Sequence, residues 1–181
     1  MHLHKDETLA PEPAMSRLVS VIAAAWMLSV GFDLLLHAGL LAKLYFEPAP
    51  FLLDAGDAFR RIPFGYLAFL VLTISLAWLL RRLGVRGAAA GFRHGATAGA
   101  IVWGAFVVGL YSISTATIPL LAGWWIGQAI ELGLAGAVLG AAANGASLKR
   151  IWTIVGLAVL ACLVVTIVLQ STGLAPAMKT R

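Results

Sequence analysis

The chain has 181 residues, of which 61% are hydrophobic and only 12% charged, and its mean hydropathy is +0.93. Soluble domains average about 45–50% apolar and about 25% charged residues, so a water-soluble globule is excluded and one membrane-embedded bundle is the expected domain. The net charge of +5 does not point to nucleic acid, because the basic residues gather in short segments between apolar runs, where they act as topology determinants.

Residues 1–16 form a polar tail rich in acidic residues and proline, and its His2 and His4 are too local and too few to argue for a metal site. No apolar stretch precedes the first hydrophobic run. That run extends over about 26 residues from near Arg17, longer than a signal-peptide core and without a small-residue cleavage pattern after it, so it reads as a retained span.

A helix needs about 20 apolar residues to cross roughly 30 Å of hydrocarbon. Five runs qualify, at about 18–41, 64–80, 95–117, 120–143 and 151–170. The fold class that follows is an all-α polytopic bundle of five transmembrane helices within 17–172, ending in a tail at 173–181. The second run is the shortest, with Arg81 and Arg82 able to snorkel at its end. Ahead of it, Phe51, Leu52, Leu53, Ala55, Ala58 and Phe59 interleave with Asp54, Asp57, Arg60 and Arg61, as in a short interfacial helix, either a plain connector or a lid. The third and fourth runs, separated by a tight connection around Pro119, should form an antiparallel hairpin. The fifth carries no charge and is expected to face lipid or a partner subunit; Cys162 within it has no second cysteine to pair with and reads as a packing or lipid-facing residue.

Arg81, Arg82, Arg86 and Arg93 lie between runs two and three, and Lys149 and Arg150 between four and five. The positive-inside rule puts both connections, and with them the N-terminus, on the cytoplasmic side. Lys43, Arg60, Arg61, Lys179 and Arg181 then fall outside, against the rule, the first three offset by Glu47, Asp54 and Asp57. Glycines mark the packing faces: Gly95 and Gly99, Gly123 and Gly127, and Gly136 and Gly140 all have the four-residue spacing that permits close helix approach.

The most informative residues are ionisable ones inside these runs. Asp33 and His37 share a face of the first run and Glu131 lies in the fourth, where an ionised carboxylate costs about 2.5–3.5 kcal/mol on insertion scales and must face protein or a wet cavity. At 3.6 residues per turn, Trp26, Ser29 or Val30, Asp33 and His37 align, as do Trp124, Gln128 and Glu131. From the helix rise, Asp33 lies about 6 Å and His37 about 12 Å outward of the midplane, with Glu131 near it and Tyr111, Ser112, Ser114 and Thr115 in the outer half of the third run. A polar pocket opening outward and built from Asp33, His37, Gln128, Glu131 and Tyr111 is therefore expected. Trp26, Trp103 and Trp124 are either aromatic lining for a small hydrophobic ligand or interface anchors.

Several readings of the ionisable trio stay open. Asp33 and His37 could be a near-neutral pair that fixes helix register, or a proton, ion or ligand site. Asp33, His37 and Glu131 could supply three metal ligands, but they lack the paired Glu-x-x-His pattern of carboxylate-bridged metal centres. Bis-histidine haem within the chain is disfavoured, since His37 and His94 fall about 25 Å apart along the membrane normal. The motifs of serine hydrolases, zinc proteases, P-loop proteins, dinucleotide-binding proteins and thiol redox proteins are absent.

Phe32-Asp33 followed by Tyr45, Tyr111 to Thr115 closing the third run, and Trp124-Trp125 followed by an intramembrane acid and a Gly-rich stretch resemble small bacterial multi-pass membrane proteins grouped as domains of unknown function, over roughly residues 20–145. Such families often carry an Asp in the fourth span where this chain has Gln128 and Glu131. The resemblance implies a bacterial inner-membrane location and the five-span topology, and no activity.

The expected function is binding or translocation of a small ligand or ion through the polar pocket. The competing class is a non-catalytic accessory subunit of a larger membrane complex, or a homo-oligomer, in which the ionisable residues act as glue. A third is an intramembrane enzyme acting on lipid or isoprenoid, for which no nucleophile or metal motif is present.

Overall fold

The computed structural model describes residues 14–45, 53 and 55–176. Among them run five long helices: α1 (Ala14–Leu35), α2 (Ala55–Arg82), α3 (Ala88–Ile113), α4 (Ile118–Ala143) and α5 (Leu148–Ser171). All five are long and apolar enough to cross a bilayer. Large apolar side chains stand exposed along them, among them Ile101 and Val108 on α3 and Leu157, Leu160 and Ile167 on α5. Water would not tolerate so extended an apolar surface, whereas lipid requires it. The molecule is a multi-pass membrane helix bundle.

The helices outrun the apolar windows that announce them. α2 begins at Ala55 rather than near residue 64 and is the longest of the five, because hydropathy registers apolar length while the helix also includes the polar turns around Asp57, Arg60 and Arg61. Pro63 sits inside it without ending it. The stretch 55–59, expected to belong to a separate interfacial helix, is the first turn of α2; Phe51, Leu52 and Asp54 lie outside the described residues, as do Glu47 and residues 1–13. α3 starts at Ala88 and stops at Ile113, short of residue 117, where Ser114 turns extended and leads through Thr117 to Pro119 in the first turn of α4.

α3 and α4 form the closest pair in the bundle, and glycine is the reason. A Cβ built on Gly91 would collide with the carbonyl oxygen of Gly136, and one on Gly95 with that of Leu132, so the two backbones touch directly. Gly87 donates its N–H to the carbonyl of Gly140 at 2.8 Å, closing the same end of the hairpin. α1 packs between α5, α4 and α2, and the main core gathers Ala24, Ala25 and Leu28 of α1 with Leu76 and Leu80 of α2, Leu132 and Ala135 of α4 and Val155 of α5. Trp152 on α5 donates to Ser20 on α1 at 2.9 Å, one of the few polar ties across this core.

α1 does not stop at Leu35. It passes into a π-helical turn, Leu36–Leu40, closed by Leu41 N–H to the Leu36 carbonyl at 2.8 Å, and then into a 3-10 turn, Ala42–Tyr45. A π turn widens the helix by one residue per turn and leaves carbonyls free for other partners. Gln170 of α5 takes up one of them, donating to the Ala38 carbonyl at 3.0 Å.

Candidate functional site

The π turn places His37 and, through the following 3-10 turn, Tyr45 against the first half of α4. Glycine again permits the approach: Leu36 fills the space beside Gly127, and Leu41 that beside Gly123, where any side chain would collide. On the far side Gly39 admits Leu169 and Thr166 of α5. The turn is thus gripped between α4 and α5.

Within this contact five side chains join in one hydrogen-bonded chain. His37 Nε2 lies 3.1 Å from Asp33 Oδ1, the expected i, i+4 pair, with the aspartate the more buried of the two. Gln128 Nε2 reaches Asp33 Oδ1 at 3.4 Å and stands 3.5 Å from His37 Nε2. On the other ring edge His37 Nδ1 bonds the Tyr45 hydroxyl, and Trp124 Nε1 donates to the same hydroxyl at 2.6 Å. An indole N–H can only donate, so the Tyr45 oxygen accepts there and its own O–H is available to His37 Nδ1. In neutral His37 the remaining proton then sits on Nε2, donated to Asp33; protonating the ring reverses the Tyr45 bond and leaves both ring nitrogens as donors. The edges of the Tyr45 and Trp124 rings pack against His37, with centroids at 5.7 and 6.4 Å. Burial holds the Tyr45 phenol protonated well above its ordinary range; the Trp124 bond opposes that shift and the Asp33 charge adds to it.

Glu131 lies one turn along α4 from Gln128 and is 1% exposed. Neither carboxyl oxygen has a hydrogen bond among the described residues, and the same holds for the hydroxyl of Ser29, itself 1% exposed. Ser29, Gln128 and Asp33 are the polar groups that act on Glu131, yet none closes a bond of ordinary geometry with it. A buried polar atom left without a partner costs about 1–3 kcal/mol, more if charged, so these carboxyl and hydroxyl groups weigh against the stability of the bundle.

The other expected site residues are placed as follows. Tyr111 is 59% exposed near the end of α3 and is not part of the hydrogen-bonded chain; Tyr45 supplies the phenol there instead. Trp26 donates to the Tyr66 carbonyl at 2.8 Å and ties α1 to α2. Trp103 packs edge-on against Phe106, its buried N–H without a partner among the described residues. Asp33, His37 and Glu131 do not form a group that could hold a metal ion, and no other such group exists among the described residues. His94 lies at the opposite end of the bundle and bonds the carbonyl of Ala90, one turn back in its own helix.

Tyr45 is the member that sequence reasoning did not place in the site. It falls beyond the first apolar run, where helical periodicity no longer predicts direction, and its one signal is position: a tyrosine just past the span that carries Asp33 and His37. No family model, no curated protein and no solved structure matches this chain.

Proposed function

We propose that the protein is a bacterial inner-membrane bundle that binds or translocates a small ion or polar ligand, with Asp33 and His37 as its proton-responsive pair and Glu131 as its inner anchor. The observation that carries this reading is the buried, unpartnered Glu131 carboxyl beside the Tyr45–His37–Asp33–Gln128 chain. Polar residues kept only as helix glue are satisfied by one another, because an unmet group inside a bundle destabilises it. A buried carboxyl without a hydrogen bond among the described residues is instead suited to take up a proton, a cation or a ligand's donor group. The chain supplies the route: a proton received at His37 Nδ1 from the Tyr45 side is matched by release from Nε2 to Asp33, which changes the charge facing Glu131.

By the positive-inside rule the end bearing Arg81, Arg86 and Arg150 is cytoplasmic, so the Tyr45 end opens to the opposite side.

The test is native mass spectrometry of the full chain extracted gently from its own membrane, with proton uptake measured after reconstitution into vesicles. The Asp33→Asn, Glu131→Gln double variant is expected to lose both the bound species and the pH response, and the Glu131→Gln single variant to melt no lower than wild type, since that carboxyl has no hydrogen bond among the described residues. Unchanged binding, uptake and pH response would sink the proposal. So would a stoichiometric protein partner with no small ligand, which would make the chain an accessory subunit.

A further inference from the structure

At the opposite end of the bundle, α1, α2 and α4 diverge around a cavity of about 360 Å³. Its floor is apolar, made by Val21, Ala77, Leu80 and Leu139, all buried, while its rim carries three guanidinium groups, Arg17, Arg81 and Arg86. Among the described residues none of the three pairs with a carboxylate; the ion pairs found are Asp33 with His37 and Asp57 with Arg60, both toward the other end of the bundle. Arg17 is held in place by its bond to the Ala146 carbonyl at 2.8 Å, which occupies one of its five N–H groups and leaves the rest to a ligand.

We infer that this cavity is a binding site for an anionic phospholipid, whose phosphate is held by Arg17, Arg81 and Arg86 and whose acyl chain runs along the apolar floor into the bilayer. Three arguments choose this occupant. Among the described residues the only charged groups lining the cavity are guanidiniums, and planar guanidinium forks match phosphate oxygens in pairs. The floor is purely apolar, which a free inorganic anion would not use. The volume lies at the lower end of the roughly 300–1,000 Å³ of small-molecule sites, room for a headgroup and the start of a chain, with the remainder lying in the membrane. The site also sits at the ends of three helices long and apolar enough to cross a bilayer, and basic pockets between helix ends are a recurrent mode of lipid capture.

The occupant is tested by native mass spectrometry of the full chain in neutral detergent, titrated separately with phosphatidylglycerol, phosphatidylcholine and inorganic phosphate. One phosphatidylglycerol per chain should bind at least about tenfold more tightly than phosphatidylcholine. The Arg81→Gln, Arg86→Gln variant should abolish that preference. The Arg82→Gln, Arg93→Gln variant makes the same charge change outside the cavity and should retain it. Both pairs are exposed, and equal melting temperatures will show that both variants fold. Equal loss in the two variants would overturn the site in favour of general attraction to a basic surface. Equal binding of the two lipids would overturn the anionic specificity, and competition by inorganic phosphate at matched concentration would overturn the lipid as occupant.

Discussion

At the scale of single residues, Tyr45 is where the candidate site can be probed without touching Asp33, His37 or Glu131. Its hydroxyl accepts from Trp124 and bonds His37, so Tyr45→Phe removes two hydrogen bonds and leaves the indole N–H unmet, a loss of about 1–3 kcal/mol that thermal unfolding in detergent will measure. The sign of its pH dependence follows from the raised phenol. A group whose folded pKa exceeds its unfolded value contributes stability that is complete below the unfolded value, about pH 10 for tyrosine, and is lost as pH rises through the folded one. Wild type should therefore lose stability from about pH 10 upward more steeply than Tyr45→Phe, and melting curves from pH 8 to 12 compare the two. Parallel curves would mean that the phenol is not sequestered. Asp33, His37, Gln128 and Glu131 were readable as candidates because polar residues stand out in apolar helices. Tyr45 was not, since a tyrosine just past a span end has an ordinary reading as an interface anchor.

At the scale of elements, the bundle is organised by where backbones meet. The four-residue glycine spacing in the sequence announced close approach, and the structure assigns each pair a different neighbour. Gly91, Gly95 and Gly99 bring α3 against Gly136, Leu132 and Ala129 of α4, while Gly123 and Gly127 accept leucines from the end of α1. Gly91→Ala should accordingly cost about 1–3 kcal/mol or more, because backbone lies where the methyl would go and cannot rotate away. Gly109 is on the same helix with open space around it, so Gly109→Ala should be neutral or stabilise by up to about 1 kcal/mol through the better helix propensity of alanine. Melting of the two variants in the same detergent decides this. The π turn at Leu36–Leu40 has no counterpart in apolar periodicity. It exists because Leu36, Gly39 and Leu41 are gripped by α4 and α5, a tertiary cause that local propensity does not encode.

At the scale of the molecule, the two ends differ in chemistry: a hydrogen-bonded polar chain lies at one and, at the other, an arginine rim with no carboxylate partner among the described residues. The hairpin geometry puts the α3–α4 and α4–α5 connections at opposite ends. With Cys162 replaced by alanine, single cysteines at Thr115 and Ser147 should be labelled by a membrane-impermeant maleimide from opposite faces of sealed vesicles, Ser147→Cys from the cytoplasmic face. Labelling of both from one face would contradict the five-span arrangement. By itself the sequence determined that the chain enters a membrane and crosses it in five helices, because that outcome depends only on the local length and polarity of each run against a fixed bilayer thickness. It also identified the buried acids, whose cost is set by the medium whatever the fold. Which residues meet was decided by tertiary structure alone. Tyr45 bonds His37 while Tyr111 stands exposed, and Arg17 joins Arg81 and Arg86 from a distant part of the chain, because helix neighbours are chosen by how glycine faces and leucine knobs fit together, a property of pairs of helices and not of any one.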